Sequence, residues 1–281
     1  MNHEVQGKDD RSSEHEKSSC LVIASTISKL AKRCVLRMNT VHFSLMVCDE
    51  NSSPKQILFW CILKTAQFFS DFIIKGISDE NEIFLELPPD MLATSLSALK
   101  STNSNVRCVK IRLTDKTTPC MTIEIELTTE YGMKRSYVHD IPVNLIPVTS
   151  WSDYSDPPVK DYSVSVELCQ FKKIKMVLER FKKLGPYVSI SITPDDLLCT
   201  TISASTVTVT TIFQNSRVCY KKENEGEQKV RVDVKRLCQL LSCEQLMPRQ
   251  TTLHFFENKM IHFDLNCDNF NLHFYLLTVE E

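Results

Sequence analysis

The sequence has little glycine and none of the short motifs that mark the common enzyme classes. Only 5 of its 281 residues are Gly and 11 are Pro, which argues against low complexity over most of the length. No G-x-x-x-x-G-K-[ST], G-x-G-x-x-G, H-E-x-x-H or G-x-S-x-G occurs. Glu124 and Glu126 lie two residues apart, which is typical of the solvent face of a strand rather than of an acid/base pair. We therefore predict neither an enzyme nor a cofactor.

Metal-binding patterns are missing as well, although the chain has 12 Cys. No two Cys are spaced C-x-x-C, and most occupy apolar-face positions, which favours reduced, buried thiols over disulfides. His254, His262 and His273 lie in or beside predicted strands, but no Cys or carboxylate stands beside them at ligand spacing. We predict ordinary strand histidines and no metal site.

Long apolar runs are also missing, and the beginning of the chain is strongly polar. No segment approaches the roughly 18 apolar residues of a membrane span, and residues 1–19 lack the apolar core of a signal peptide. We expect 1–19 to be a disordered tail and deletion of 1–18 to cost little stability. We also expect a cytoplasmic or nuclear protein with no membrane partner.

What the chain does contain is alternation of period two, interrupted by four amphipathic segments. These patterns predict an α+β protein with two similar halves. Helices are expected at 20–34, from Pro88 to Lys100, at 170–184 and at 235–246. A Pro- and Ser-rich segment, 144–161, resembles a linker, which places domains at 20–143 and 162–281. Strands are predicted at Val35–Met38, Val41–Cys48, Ile57–Leu63, Phe68–Ile74, Ile83–Leu87, Val109–Leu113, Thr122–Leu127, Ser136–Val143, Ser163–Leu168, Val188–Thr193, Leu197–Ser203, Thr206–Phe213, Val230–Val234, Leu253–Phe256, Met260–Leu265 and Asn271–Thr278, with a charged loop at Lys221–Lys229.

The third predicted helix is strongly basic, whereas the whole chain has a net charge of −2. Glu179 is the one acidic residue in 170–184. The basic residues are Lys172, Lys173, Lys175, Arg180, Lys182 and Lys183. Any amphipathic helix has a charged solvent face, but charge of a single sign favours contact with a polyanion.

Several short segments together resemble one known family. The most specific are His139-Asp-Ile-Pro-Val143 and Asn258-Lys-Met-x-His262-Phe-Asp-Leu265. The others are Leu30-Ala-Lys-x-Cys34-x-Leu36-Arg37, Phe59-Trp60-Cys61, Gly76-Ile-Ser-x-Glu80-Asn-Glu-Ile-x-Leu85-Glu-Leu87, Pro119-Cys120-x-Thr122 and Asp233-Val-x-x-Leu237-x-Gln239-x-Leu241. Over about residues 20–281 the chain resembles the Hus subunit of the DNA-damage checkpoint clamp, the nine-one-one complex, which is similar in fold to proliferating cell nuclear antigen.

The resemblance implies a sliding-clamp (DNA clamp) fold and a set of partners. Such clamps have two similar domains, each with two helices packed on antiparallel sheets, joined by an interdomain connecting loop at 144–161. Three different subunits close a ring with the helices facing a central channel. The implied function is a non-enzymatic nuclear subunit that encircles double-stranded DNA at damage sites, independently of sequence, and supports checkpoint signalling and repair. The implied partners are two paralogous clamp subunits, a clamp loader, and repair and checkpoint factors.

The resemblance also implies roles for individual residues. Candidates for contact with the DNA backbone are Lys29, Lys32, Arg33, Lys100, Lys172, Lys173, Lys175, Arg180, Lys182, Lys183, Lys235 and Arg236. Trp151 and Tyr154 in the connecting loop are candidates for docking a partner. The alternative for this loop is a passive linker with Trp151 packed against a domain.

One feature departs from the family pattern, and two other functions stay open. Family members begin with a β-strand, whereas here the polar segment 1–19 takes that place, so the first domain is predicted to lack one strand. The alternatives are a homotrimeric replication processivity clamp and a β-rich adaptor whose basic helix binds acidic protein or lipid. We expect that the chain does not close a ring alone.

Overall fold

The computed structural model describes residues 3–6, 12–49, 57–76, 81–100, 104–129, 132–154, 161–169, 171–222, 226–256 and 259–279. The chain divides into unit 1, Met1–Ser155, and unit 2, Asp156–Glu281. The division falls inside the segment 144–161 that the sequence suggests as a linker. No helix among the described residues is long and apolar enough to cross a membrane.

Unit 1 consists of helices and two antiparallel sheets. Its described helices are α1 (Ser12–Leu30), the single turn α2 (Thr65–Phe68) and α3 (Pro89–Leu96), which continues as a 3₁₀ turn over Ser97–Lys100. Its strands are β1 (His3–Gln6), β2 (Cys34–Met38), β3 (His42–Cys48), β4 (Ile57–Lys64), β5 (Asp71–Phe72), β6 (Ile83–Leu87), β7 (Ser104–Asp115), β8 (Pro119–Thr129), β9 (Lys134–Pro142) and β10 (Asn144–Leu145). Sheet 1a has the order β5-β1-β7-β8-β9, and sheet 1b has the order β10-β6-β2-β3-β4.

Alternation in β8 shows how the sequence builds sheet 1a. Ile123, Ile125 and Leu127 are buried, and the residues between them point to the opposite face of the sheet because strand side chains alternate. On that face Glu126 pairs with Lys110 of β7, with 2.8 Å between Oε1 and Nζ. Glu124 lies 3.9 Å from a guanidinium nitrogen of Arg112. The two glutamates thus belong to a ladder of ion pairs on a strand surface.

Unit 2 has the same kinds of layers. Its described helices are α4 (Phe171–Phe181) and α5 (Val234–Leu240), which continues as a 3₁₀ turn over Leu241–Leu246. Its strands are β11 (Val164–Leu168), β12 (Tyr187–Ile192), β13 (Leu198–Ser203), β14 (Thr208–Phe213), β15 (Ser216–Lys221), β16 (Gln228–Asp233), β17 (Gln250–Phe256), β18 (Met260–Asn266) and β19 (Phe270–Leu277). Sheet 2a has the order β14-β13-β12-β16, and sheet 2b has the order β15-β11-β17-β18-β19.

Each unit also contains a packed pair of helices. In unit 1, α1 packs on α3 and buries Ile23 and Ile27. In unit 2, α4 packs on α5 and buries residues at the helical spacing 171, 174, 178 and 181. Asp233 caps α5, because its Oδ1 accepts the backbone N–H of Arg236 at 2.8 Å. The α+β fold class expected from the periodicity is confirmed.

The structure corrects the expected tail. β1 pairs with both β5 and β7, and α1 begins at Ser12 rather than near residue 20. At the described residues 3–6 and 12–19 the structure therefore has a strand and a helix where a disordered tail and a missing strand were predicted, while 1–2 and 7–11 lie outside the described residues. The sequence His-Glu-Val-Gln has one apolar residue and shows no alternation, so its pairing depends on distant β7. Removing 1–18 would take β1 out of sheet 1a. The expectation that this deletion costs little stability did not take that strand into account.

Further differences concern the end of α1, the strand expected at Phe68–Ile74, and β15. Cys34 belongs to β2, because it pairs with Leu87 of β6, so the first helix ends at Leu30 and not at 34. The strand expected at Phe68–Ile74 is a helical turn followed by the two-residue β5. β15 was not predicted at all. Its exposed and half-buried residues give no buried stripe, and its partner β11 contains an irregularity between Ser165 and Val166.

Candidate nucleic-acid interface

Eight basic residues of unit 2 lie on α4, on the turn after it and at the start of α5. We call them the basic patch. They are Lys172, Lys173, Lys175, Arg180, Lys182, Lys183, Lys235 and Arg236. Lys175 is half-buried and the other seven are exposed. The structure shortens the predicted helix 170–184, so Lys182 and Lys183 lie in the turn that follows α4.

Four of these bases lie at the amino ends of the two helices, where they do not favour helix stability, whereas Arg180 in the last turn of α4 does favour it. The amino end of a helix carries partial positive charge, so acidic residues stabilise its first turn and basic ones do not. The first turns of α4 and α5 have no acidic residue, and instead contain Lys172, Lys173, Lys235 and Arg236. Helix stability therefore does not account for the charge at these two amino ends.

The two acids within the patch are already engaged. Glu179 accepts from Lys182 at 2.9 Å, and this hydrogen bond raises the pKa of the Lys182 ammonium. Asp233 is occupied as the cap of α5. The patch continues from one helix to the other: burial raises the pKa of the Cys238 thiol on α5 to about 11, while Lys182 and Lys175 of α4 are near enough to oppose that rise.

The candidates in unit 1 are placed differently. Lys29 lies exposed in the last turn of α1. Lys32 and Arg33 are exposed in the connection after that helix, not on it as predicted. Arg33 donates to Glu86 of β6, so part of its charge is used within unit 1. Lys100 is the last residue of the 3₁₀ turn after α3. Of the candidate bases, the eight of unit 2 are those that lie on two helices packed against each other, or in the turn after the first of them.

The two aromatic residues of the connecting segment pack on unit 1. A 3₁₀ turn over Val148–Tyr154 stacks Trp151 on Phe84 of β6, with 4.6 Å between ring centroids. The Trp151 indole N–H donates to the carbonyl of Ile146 at 3.0 Å, and Tyr154 is buried against the same Phe84. This arrangement matches the alternative given from the sequence, a linker whose Trp151 packs against a domain. Docking of a partner to 144–161 stays a prediction, without these two rings as free anchors.

The three C-terminal histidines do come together, in a row across sheet 2b. His254 lies opposite His262 in the strand register, and His262 Nε2 lies 3.2 Å from His273 Nδ1. Tyr162, which the sequence did not single out, stacks on His254 at 4.0 Å and its hydroxyl lies 2.8 Å from His262 Nδ1. Among the described residues, no group of His, Cys, Asp and Glu is arranged to hold a metal ion. The cluster is a hydrogen-bonded stack.

We expect this stack to make the stability of the chain sensitive to mild acid. Burial lowers the pKa of His254 to about 4 and that of His262 to about 2, and His273 adds to both shifts. Unfolded histidine has a pKa of about 6.5, so below that pH the unfolded chain binds more protons than the folded chain. The contribution of the two neutral, buried histidines to the free energy of unfolding is complete above pH 6.5 and is lost as pH falls. We expect the free energy of unfolding to drop by up to about 1.4 kcal/mol per pH unit for each of the two histidines.

Urea unfolding at pH 7, 6 and 5 measures this slope. The window stays above pH 5 because burial raises the pKa of Asp264, which opposes the histidine effect in stronger acid. The matched control is H254Q/H262Q, which removes both titrations. Equal slopes for the wild type and this variant between pH 6 and 5 would show that the two histidines are not buried as neutral rings.

The layers of each unit, with a helix pair and antiparallel sheets, define a protein with the sliding-clamp fold. The chain is similar to the proliferating cell nuclear antigen of Entamoeba histolytica, with a TM-score of 0.69, 11% identity and 99% of both chains covered. At that identity the likeness defines the fold alone, and it confirms the predicted fold.

The family follows from sequence. The model of the Hus1-like protein family matches residues 13–280, and the chain belongs to this family. It is 34% identical over 263 residues to Checkpoint protein HUS1 of Homo sapiens, covering 90% of this chain and 92% of that protein. It is 24% identical over 246 residues to Checkpoint protein Hus1-like of Drosophila melanogaster, covering 87% and 88%. The predicted resemblance is confirmed.

Proposed function

We propose that this chain is a non-enzymatic subunit of a heterotrimeric ring that encircles double-stranded DNA at damage sites. There it supports checkpoint signalling and DNA repair in the nucleus. A clamp loader places the ring, two paralogous clamp subunits complete it, and repair and checkpoint factors bind to it. Family membership and the clamp fold support the proposal, and the basic patch is the observation that carries it.

The chemistry of the patch suits a ring that slides. Hydrogen bonds to base edges would hold a protein in one register, whereas contacts to phosphates carry no sequence information. Lys and Arg side chains on exposed helical positions supply such contacts, and their strength falls as salt rises. Six of the eight bases of the patch are Lys, which binds as a mobile point charge rather than as a rigid fork.

The sheets offer ends that another chain can extend. Within the described residues, one end of sheet 1a is the two-residue strand β5, and the other is the nine-residue strand β9. In sheet 2a, β16 is covered, because Val279 donates its backbone N–H to the carbonyl of Arg231 at 2.7 Å. The opposite end of that sheet is β14. Sheet 1a thus has the long edge β9, and sheet 2a has the edge β14, at which a neighbouring subunit can add its own strand.

A topological assay tests encirclement. The purified heterotrimer is loaded by its clamp loader onto nicked circular plasmid and washed at a salt concentration that removes electrostatic binding. A ring is expected to stay on the circle and to slide off once a restriction enzyme linearises the DNA. Equal retention on circular and linear DNA would contradict encirclement. Binding of the chain to acidic vesicles in preference to DNA would favour the adaptor alternative.

A further inference from the structure

The exposed face of α4 carries two apolar side chains among its basic ones. Met176 is 53% exposed on the helix, and Leu184 is 46% exposed in the turn that follows it. Lys172, Met176, Arg180 and Leu184 are all exposed and follow one another at a spacing of four residues. Residues four apart are neighbours on the surface of a helix. We call these four residues the mixed row, because charged and apolar side chains alternate along it.

The mixed row continues beyond the end of α4. The chain keeps turning there, since Lys182 donates its backbone N–H to the carbonyl of Leu178 at 2.9 Å, and Leu184 donates to that of Phe181 at 2.8 Å. The last residue of the row therefore stays close to the side of the others. Four residues of helix advance by about 6 Å, so the two bases of the row lie about 12 Å apart along the axis with Met176 midway.

The two apolar side chains do not belong to the contact between α4 and α5. The residues that α4 buries are Phe171, Ile174, Leu178 and Phe181, and the helix packs on α5. A membrane surface does not suit the row either. Helices that lie on membranes insert a broad apolar face, whereas that face of α4 is already buried, and a base separates the two exposed apolar side chains.

The alternation matches the chemistry of a nucleic-acid strand. Along such a strand a sugar separates each phosphate from the next, and proteins that bind DNA contact both groups. Lys and Arg neutralise phosphates, whereas a deoxyribose offers carbon atoms that an apolar side chain can cover. A ribose in the same place carries a 2′-hydroxyl, which an apolar contact would bury without a hydrogen-bond partner. Burial of an unpaired hydroxyl is unfavourable.

We infer that the mixed row contacts the sugars of DNA through Met176 and Leu184, beside the phosphates that its bases contact, and thereby favours DNA over RNA. The inference rests on the proposed function. It adds a contact that salt does not screen, because burial of apolar surface releases no counterions. The selectivity arises at the sugar, so it is independent of base sequence, as a sliding ring requires.

Binding of the assembled ring to a DNA duplex and to an RNA duplex of the same sequence tests the inference. Fluorescence anisotropy over a range of salt concentrations gives the affinities. M176A/L184A is expected to bind the DNA duplex about five- to tenfold more weakly at every salt concentration. The slope of log K against log salt is expected to stay unchanged, because no charge is lost. The affinity for the RNA duplex is expected to change much less, so the preference for DNA narrows.

Two further variants sharpen the test. The matched control L145A/L277A removes side chains that are 62% and 41% exposed on strands, and it is expected to leave both affinities unchanged. M176Q/L184Q keeps side chains of similar size and adds groups that can hydrogen-bond to a 2′-hydroxyl, so it is expected to favour RNA relative to DNA when compared with the wild type.

The outcomes separate the inference from the proposed function. Unchanged affinity of M176A/L184A for DNA, or an equal loss on both duplexes, would overturn the inference and leave the ring. Binding of the wild type to acidic vesicles that M176A/L184A loses, without a loss on DNA, would also overturn it. A wild-type ring that binds neither duplex would instead overturn the proposed function.

Discussion

Ring–DNA affinity is expected to fall by up to about 500-fold at 0.1 M salt when Lys172, Lys173 and Lys183 are replaced by Ala. Each phosphate contact contributes roughly 0.9 to the slope of log K against log salt. Three lost contacts therefore lower the slope by up to about 2.7 and the affinity at 0.1 M by a factor of up to about 500. Folding is expected to be unaffected, because all three side chains are exposed. Fluorescence anisotropy of the assembled ring with a DNA duplex, over a range of salt concentrations, gives both quantities.

The matched control separates local charge from total charge. Replacing Arg217, Lys222 and Lys259 by Ala removes the same number of charges from exposed positions of unit 2 outside the basic patch. The control is expected to change the slope far less than the patch variant. Similar slopes for the two variants would show that net charge, rather than the α4–α5 surface, governs DNA binding. An unaltered slope of log K against log salt in the patch variant would show that α4 does not contact the DNA.

The second large effect is on stability, and it concerns the helix that carries most of the patch. Leu178 is fully buried on α4, where that helix packs on α5. Leu178→Ala is expected to lower the free energy of unfolding by about 3 kcal/mol, since it removes buried apolar volume and leaves a cavity. Urea unfolding followed by far-UV circular dichroism is the suitable measurement, because both tryptophans, Trp60 and Trp151, lie in unit 1.

Met176 on the same helix provides the comparison. Its side chain is 53% exposed, so Met176→Ala is expected to change stability by less than about 0.5 kcal/mol. A loss below about 1 kcal/mol for Leu178→Ala, similar to that of Met176→Ala, would contradict the burial of this face of α4. The patch would then lack the rigid support that the proposed interface requires.

Strands with a clear alternation were predictable from sequence because one of their faces is buried. In β8 the buried residues Ile123, Ile125 and Leu127 alternate with polar ones, and the period of two is visible directly. α4 was predictable for the same reason at the helical period, from Phe171 to Phe181. These elements owe their form to their own residues, so local reasoning was sufficient.

The missed elements owe their form to partners distant in sequence. β1 has a single apolar residue and is ordered by pairing with β7. β15 is half exposed and pairs with β11. The end of α1 was set too late because Cys34 continues the apolar stripe of the helix, while its backbone pairs with β6. Sequence patterns indicate which residues are buried, but they do not indicate which strands pair with each other.

The charge of the candidate site was predictable from the sequence, but the contacts that its residues make were not. The bases of α4 were evident from their one-sided sign, and the structure shows that Lys235 and Arg236, also named from the sequence, lie on the helix that packs on α4. The salt bridge of Arg33 with Glu86 and the stacking of Trp151 on Phe84 depend on β6, which lies far from both in sequence. That β9 and β14 lie at the ends of their sheets could be seen only once the strand order was known.

The mass of the native assembly tests the central claim most directly. The chain is expressed with two paralogous clamp subunits, purified through a tag on this chain and examined by native mass spectrometry. We predict a single complex with one copy of each subunit, and no stable trimer when the 32.3 kDa chain is expressed alone. A stable complex of three times the chain mass, formed by the chain alone, would contradict the account and favour a homotrimeric processivity clamp.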